Sequence, residues 1–293
     1  MNLILLTLGF GIVTAAVLAL SAVAFTLEYA VSNVPNLAHG GILVFGAYAA
    51  YLVLRLTGNV AASAVAAAAA GAAIAWAMNF AVIQRFVERG TNVLVTFIAT
   101  LGLSFVIQNA LVMAFGAANV AYTIHQGAPH HVGPFLWTAT EEEIILSAIG
   151  IGILLYLIIQ HTKFGKALRA VSQNRDLARV TGIRAPRVTA LTWLLAGAVG
   201  GYAGFILAET VGTFNPYSGF SYLLITLTAA VAGGLGKAFG TIAGAVIVGI
   251  ILAYTGGYIS SSYELAFSFA ILALVVLFRP RGLFTKARRS AFE

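Results

Sequence analysis

Six stretches of this sequence run without a single Asp, Glu, Lys or Arg: Leu3–Leu27, Val60–Ile83, Val93–Phe115, Ile144–Gln160, Val188–Ala208 and Leu265–Phe278. A helix needs about 20 apolar residues to cross the hydrocarbon core of a bilayer. Three further charge-free stretches, Gly41–Leu54, Tyr222–Val231 and Phe239–Tyr254, are shorter or broken by glycine. The sum is eight or nine membrane segments. The predicted fold class is all-α, a polytopic integral membrane protein with Gly-broken helices, built as a single transmembrane domain over residues 1–293. Composition agrees: 60% of residues are hydrophobic and 9% are charged, whereas soluble proteins carry about 25% charged residues. No Lys or Arg precedes Arg55, so a cleaved signal peptide with a positive n-region is not expected, and the first apolar stretch reads as a retained span.

The few charges are placed unevenly. Seven of the 16 Lys and Arg residues fall between Lys163 and Arg187, and five between Arg279 and Arg289. Basic clusters in short loops mark the cytoplasmic side and favour anionic lipid headgroups. With the loop 161–187 inside, parity places Arg85, Arg89, Lys237 and the C-terminus inside too, and only Arg55 disagrees. Parity leaves Met1 open: outside if Tyr29–Leu54 is one span, inside if that stretch re-enters. No aromatic residues interleave with the basic ones, so nucleic acid is not an expected partner.

Several chemistries are excluded. There is no cysteine, hence no disulfide framework or thiolate metal site. The run around Gly236-Lys237 has Ala238 where a phosphate-binding loop needs Ser or Thr. No zinc-protease or serine-hydrolase motif occurs. His125, His130 and His131 share one loop without a neighbouring carboxylate, and no metal site is expected. Thr140 followed by three glutamates looks like the start of a helix, its acids on the positive end of the dipole.

Polar residues inside apolar stretches are the candidate pathway. Asn36 and His39 lie three apart in "PNLAHGG", flanked by Pro35 and Gly40-Gly41, a pattern that suits a broken helix with freed backbone groups. Gln108 and Asn109 either join this pathway or bond between helices. Gly233 and Gly234 complete the set, because Asn36–Tyr51 and Gly233–Gly249 look weakly alike and Gly-interrupted segments in matching halves point to a transport site. Glu28 and Glu209 read as helix-end charges. Ala61–Ala77 is almost pure alanine and suits close helix contact. The basic loop carries a partly amphipathic helical pattern ending at Gly182, which fits either a lipid surface or a groove in a partner.

Seven motifs carry a resemblance: "NLAHGG…GAY" (Asn36–Tyr48), "TLGLSFVIQN" (Thr100–Asn109), "GKALRAVSQNRDLARVTGI" (Gly165–Ile183), "RVTALTW" (Arg187–Trp193), "NPYSGF" (Asn215–Phe220), "TAAVAGGLG" (Thr228–Gly236) and "RPRGLF" (Arg279–Phe284). In this order the chain resembles the LivH-like permease subunits of branched-chain amino acid ABC importers. The resemblance implies a non-enzymatic transport subunit in a prokaryotic inner membrane, with a second homologous permease, two cytoplasmic ATP-binding subunits and an extracytoplasmic solute-binding protein as partners. ATP would be bound by those partners, with no cofactor in this chain. It implies that Gly165–Ile183 is the coupling helix, with Gly165, Lys166, Arg169 and Arg175 on it, and Asp176, Ala178 and Gly182 matching the acidic-Ala…Gly pattern of importer loops. Leu177 departs from that pattern. Lys237 and Phe239 stand where Ser and Pro are usual, and Glu28 and Glu209 where uncharged residues are. Close relatives of the family carry urea or short amides, which are the second expected substrates. A secondary transporter or channel working alone, and a membrane enzyme, are the readings from other classes.

Overall fold

The computed structural model describes residues 3–122, 127–279 and 282–284. The order of elements is α1 (Leu3–Ser32), α2 (His39–Thr57), α3 (Val60–Met78) running through a π-helical turn (Asn79–Ile83) into α4 (Gln84–Glu88), α5 (Val93–Phe115), β1 (Val120–Ala121), β2 (His130–Val132), β3 (Phe135–Trp137), α6 (Ala139–His161), α7 (Lys163–Gln173), α8 (Arg175–Val180), α9 (Ala185–Val211), β4 (Thr213–Phe214), α10 (Ser218–Gly233), α11 (Ala238–Tyr258), a 3-10 turn (Ser261–Tyr263) and α12 (Glu264–Phe278). Among the described residues eight helical segments are long and apolar enough to cross a membrane, and α10 is a shorter apolar helix. The protein is therefore an all-α polytopic membrane protein.

Small residues hold the bundle together. Alanine-rich α3 lies on α9 through Gly71, Gly197 and Gly201, where an added Cβ would run into the facing backbone. Apolar burial drives little association in lipid, so such close backbone contact is what helix pairs gain from. The outward faces of α5, α6 and α12 are dominated by exposed Leu, Ile, Val and Phe, as lipid contact requires.

The two ends of the bundle differ. At one end Arg169 of α7 and Lys237 share a cleft with the last turns of α1 and with Phe284. Arg175 of α8 lies 3.9 Å from Glu88, which brings the Arg85–Arg89 turn to this same basic end. At the other end Gly9 of α1 faces Trp137 of the β2–β3 hairpin, and β1 pairs with β4. There Tyr122 donates to the Ala47 carbonyl at 3.1 Å. Burial, then the charge of Glu209, pushes its phenol up, so it stays a neutral donor. Arg55, beyond Tyr51 and its aromatic neighbours Tyr122 and Phe214, lies at this second end.

Of the two readings of Tyr29–Leu54, the single crossing holds: α1 runs to Ser32 at the basic end, the chain doubles back through Asn33–Ala38, and α2 crosses to the opposite end. Two sequence expectations change here. The start of α6 is two residues earlier than Thr140: Thr138 caps it, accepting from the Glu141 amide at 3.3 Å, while Glu141 accepts from the Thr138 amide at 2.7 Å. Thr138 and Glu141 have the three-residue spacing of this reciprocal cap, a spacing that Thr140 and Glu143 share, so the sequence offered two starts. The basic loop forms two helices because Asn174 ends α7 and caps α8, accepting from the amides of Asp176 (3.1 Å) and Leu177 (2.9 Å).

Candidate functional site

The returning segment Asn33–Ala38 builds a sealed polar cluster. Asn36 Oδ1 accepts from the Ala38 amide at 3.0 Å, a turn that launches α2. Its Nδ2 donates to Glu28 Oε2 at 2.8 Å. Glu28 Oε1 lies 3.0 Å from His39 Nδ1, and both side chains are 0% exposed. His39 Nε2 lies 3.4 Å from Ser21 Oγ, which lies 2.8 Å from Thr226 Oγ1 of α10. The two ring nitrogens of His39 therefore bridge Glu28 on one side and Ser21 on the other. Phe25 closes the ring edge-on at 5.5 Å. An uncompensated buried carboxylate would cost several kcal/mol. Two donors and the positive end of the α2 dipole offset that cost.

Asn36 and His39 do not share a helix face, because Asn36 lies in the turn before α2; they converge instead on Glu28. Glu28 is not the cheap helix-end charge that the sequence suggested, because α1 continues a full turn beyond it and the returning segment folds over it. The signal was available: an ionisable residue in an apolar span needs a named partner. Glu209 does lie within a turn of the end of α9, although it is buried.

A second turn mirrors the first. Asn215 Oδ1 accepts from the amides of Tyr217 (2.9 Å) and Ser218 (3.0 Å) and so launches α10. The first turns of α2 and α10 pack antiparallel, with Gly40 and Gly219 so close that a Cβ on either would meet the other's carbonyl. The turns before α2 and α10 are thus alike in geometry. The N-termini of two broken helices meet inside the bundle, an arrangement that places positive dipole ends at a membrane-buried site.

The remaining candidates lie elsewhere. Gln108 is half-buried and Asn109 is exposed on α5, where Asn109 Nδ2 donates to the Phe105 carbonyl of its own helix at 2.8 Å. Gly233 and Gly234 close the basic end, packed on Gly240 and Gly282. The structure thus does not bring the six pathway candidates together. Among the described residues no three His, Asp or Glu side chains gather as a metal site would require. His130 instead lies 2.7 Å from Glu142, and His125 is outside the described residues.

At the basic end α7 is seated firmly. Gly165, Leu168 and Val171 form its buried face, and Gly165 abuts the carbonyls of Ile158 and Ile159. The Arg169 guanidinium caps the end of α6 by donating to the Ile159 carbonyl and to Gln160, while Lys166 points to solvent. In α8 Ala178 is buried. Burial, reinforced by Arg179, pulls the Arg175 guanidinium down from its ordinary range, against the opposing charges of Glu88 and Asp176. The other face is open: Asp176 is 92% exposed, Leu177 62% and Val180 85%. Gly182, at φ 85°, ends the helix as predicted.

Residues 7–276 match the family described as "Branched-chain amino acid transport system / permease component". The permease protein LivH of the high-affinity branched-chain amino acid transport system of Escherichia coli (strain K12) is 31% identical over 287 residues, covering 93% of this chain and 92% of that protein. BraD of Pseudomonas aeruginosa, a permease protein of the same kind of system, is 28% identical with 93% of each chain covered. The ribose import permease RbsC of Escherichia coli (strain K12) is 26% identical over 88% of this chain and 81% of that protein. No solved structure matches the chain. With a family match over nearly its whole length and a relative above 30% identity, this multi-pass membrane protein belongs to the permease-component family of branched-chain amino acid transport systems.

Proposed function

We propose that the chain is the membrane-spanning permease subunit of an ATP-driven importer for leucine, isoleucine and valine, in a prokaryotic inner membrane. The basic end, with the C-terminus, faces the cytoplasm. A second homologous permease completes the pathway, an extracytoplasmic solute-binding protein delivers the solute, and two separate ATPase subunits bind and hydrolyse ATP. Asn36, His39, Gln108, Asn109, Gly233 and Gly234 remain the pathway candidates. The Glu28–Asn36–His39 cluster contributes by fixing where α2 begins, so that the paired first turns of α2 and α10 move as one unit when access alternates. ATP shifts that equilibrium by favouring one state over the other.

The observation that carries this reading is the free face of α8. Leu177 and Val180 are apolar and project from a charged surface beside Asp176, on a helix whose opposite side is anchored by Ala178 and Arg175. Residues kept apolar and exposed on a firmly seated helix suit docking into a groove. The sequence motifs for ATP binding are missing from this chain, so the energy is supplied by a partner.

The test is the paired substitution Leu177→Asp and Val180→Asp in the permease co-produced with its ATPases. Both side chains are exposed, so the fold is expected to persist. The predicted result is loss of ATPase co-purification and a fall of at least about tenfold in leucine uptake, the effect of about 1.4 kcal/mol or more at the interface. Unchanged co-purification and uptake would overturn the docking role. Competition of labelled leucine by valine, and its absence with urea or ribose, tests the substrate class.

A further inference from the structure

The surface between α1, α6 and α11 is an open groove of about 480 Å³ with apolar walls throughout. Ile12, Ala16 and Ala19 of α1 form its floor, Gly152 and Tyr156 of α6 one bank, and Val246 of α11 the other. Towards the basic end it shares Ile159, Ala238 and Phe239 with a second cleft of about 550 Å³. That cleft changes character: it is lined by Lys237, Arg169, Ser172, Gln160 and Thr26, and no carboxylate lines it. Neither Lys237 nor Arg169 is in an ion pair among the described residues. Here α11 also begins without a side-chain cap, which leaves its first amide N–H groups to an anion.

We infer that this continuous groove binds one anionic phospholipid, its acyl chain between α6 and α11 and its phosphate at Lys237, Arg169 and the first turn of α11. The lengths agree. The apolar floor runs from Ile12 to Val23, about 16 Å along the helix axis, which is one leaflet's share of a core of about 30 Å. The charge lies at the end of that floor, at the level of Thr26 and Ala30, where a headgroup of the leaflet on the basic side sits. The site is independent of the transport reading, since it concerns the lipid-facing side of this chain alone.

The test uses the purified full-length permease, delipidated and titrated with phosphatidylglycerol or with phosphatidylcholine of the same chains, with bound lipid counted by native mass spectrometry. One phosphatidylglycerol is expected to bind ahead of phosphatidylcholine. Lys237→Ser is expected to reduce that preference about fivefold, the factor carried by about 1 kcal/mol per basic residue near a membrane surface. Gly152→Phe is expected to abolish the tight lipid altogether without unfolding, because a side chain at Gly152 meets open space and grows into the groove. Glycerol phosphate, which has the anion without the chain, is expected not to compete. Equal binding of the two lipids by the wild type, full retention of phosphatidylglycerol by Gly152→Phe in folded protein, or competition by glycerol phosphate would each overturn the assignment. So would a groove found filled by protein, whether a segment of this chain or a second copy.

Discussion

The turn before α2 and the turn before α10 use the same backbone device in opposite surroundings. In each, an asparagine carbonyl oxygen captures an amide two residues on, and the glycine four residues after the asparagine meets its counterpart. The amide nitrogens tell them apart. Asn36 donates into the fully buried carboxylate of Glu28, whereas Asn215 donates at 2.7 Å to the exposed Asn119. One turn is locked by a charge that water cannot reach, and the other by a neutral contact that water can replace.

Six substitutions probe that contrast, and the largest effect attacks what the turns share. Gly40→Val or Gly219→Val would drive a side chain into the facing backbone. Either is expected to abolish recovery of monodisperse protein after detergent extraction, and equal damage from both would show the contact to be mutual. Next, Glu28→Ala leaves Asn36 and His39 buried without their acceptor, at a cost of about 3–5 kcal/mol, whereas Asn119→Ala at the mirrored position is expected to cost no more than about 0.5 kcal/mol. Thermal unfolding followed by fluorescence separates the two, and similar melting temperatures would break the comparison. Asn36→Ala is expected to cost about 2–3 kcal/mol because a charged group loses a donor. Asn215→Ala is expected to cost about 1 kcal/mol for a lost helix cap, leaving Asn119→Ala as the smallest effect.

Much of this architecture was legible in the residues. Charge-free stretches gave the spans, because lipid tolerates neither charge nor open backbone. The close packing of the Ala-rich α3 followed from its small residues, though not its partner α9, and the end of α8 from Gly182. The helix break that carries Asn36 and His39 followed from Pro35 and the adjacent glycines, although Asn36 lies in the turn and not on α2. What could not be read was three-dimensional. Glu28 is eight residues before Asn36, and only the reversal of chain at Asn33–Ala38 turns that separation into a hydrogen bond. The twin of that turn was missed because the glycines of Gly233–Gly249 looked similar in kind, whereas Asn215–Gly219 is similar in geometry. Asn174 was hidden inside a helical pattern that continues on both sides of it. Gln108 and Asn109 looked like a polar patch, but Asn109 satisfies itself on its own helix.

The central claim is that this permease moves its solute only when a separate ATPase acts on the α7–α8 end. The direct measurement is uptake of labelled leucine into proteoliposomes containing the permease pair and binding protein, with ATPase subunits present or absent and with ATP or a non-hydrolysable analogue. Accumulation above the external concentration is predicted only with both the ATPases and hydrolysable ATP. Concentrative uptake by the membrane chains without those subunits would contradict the account.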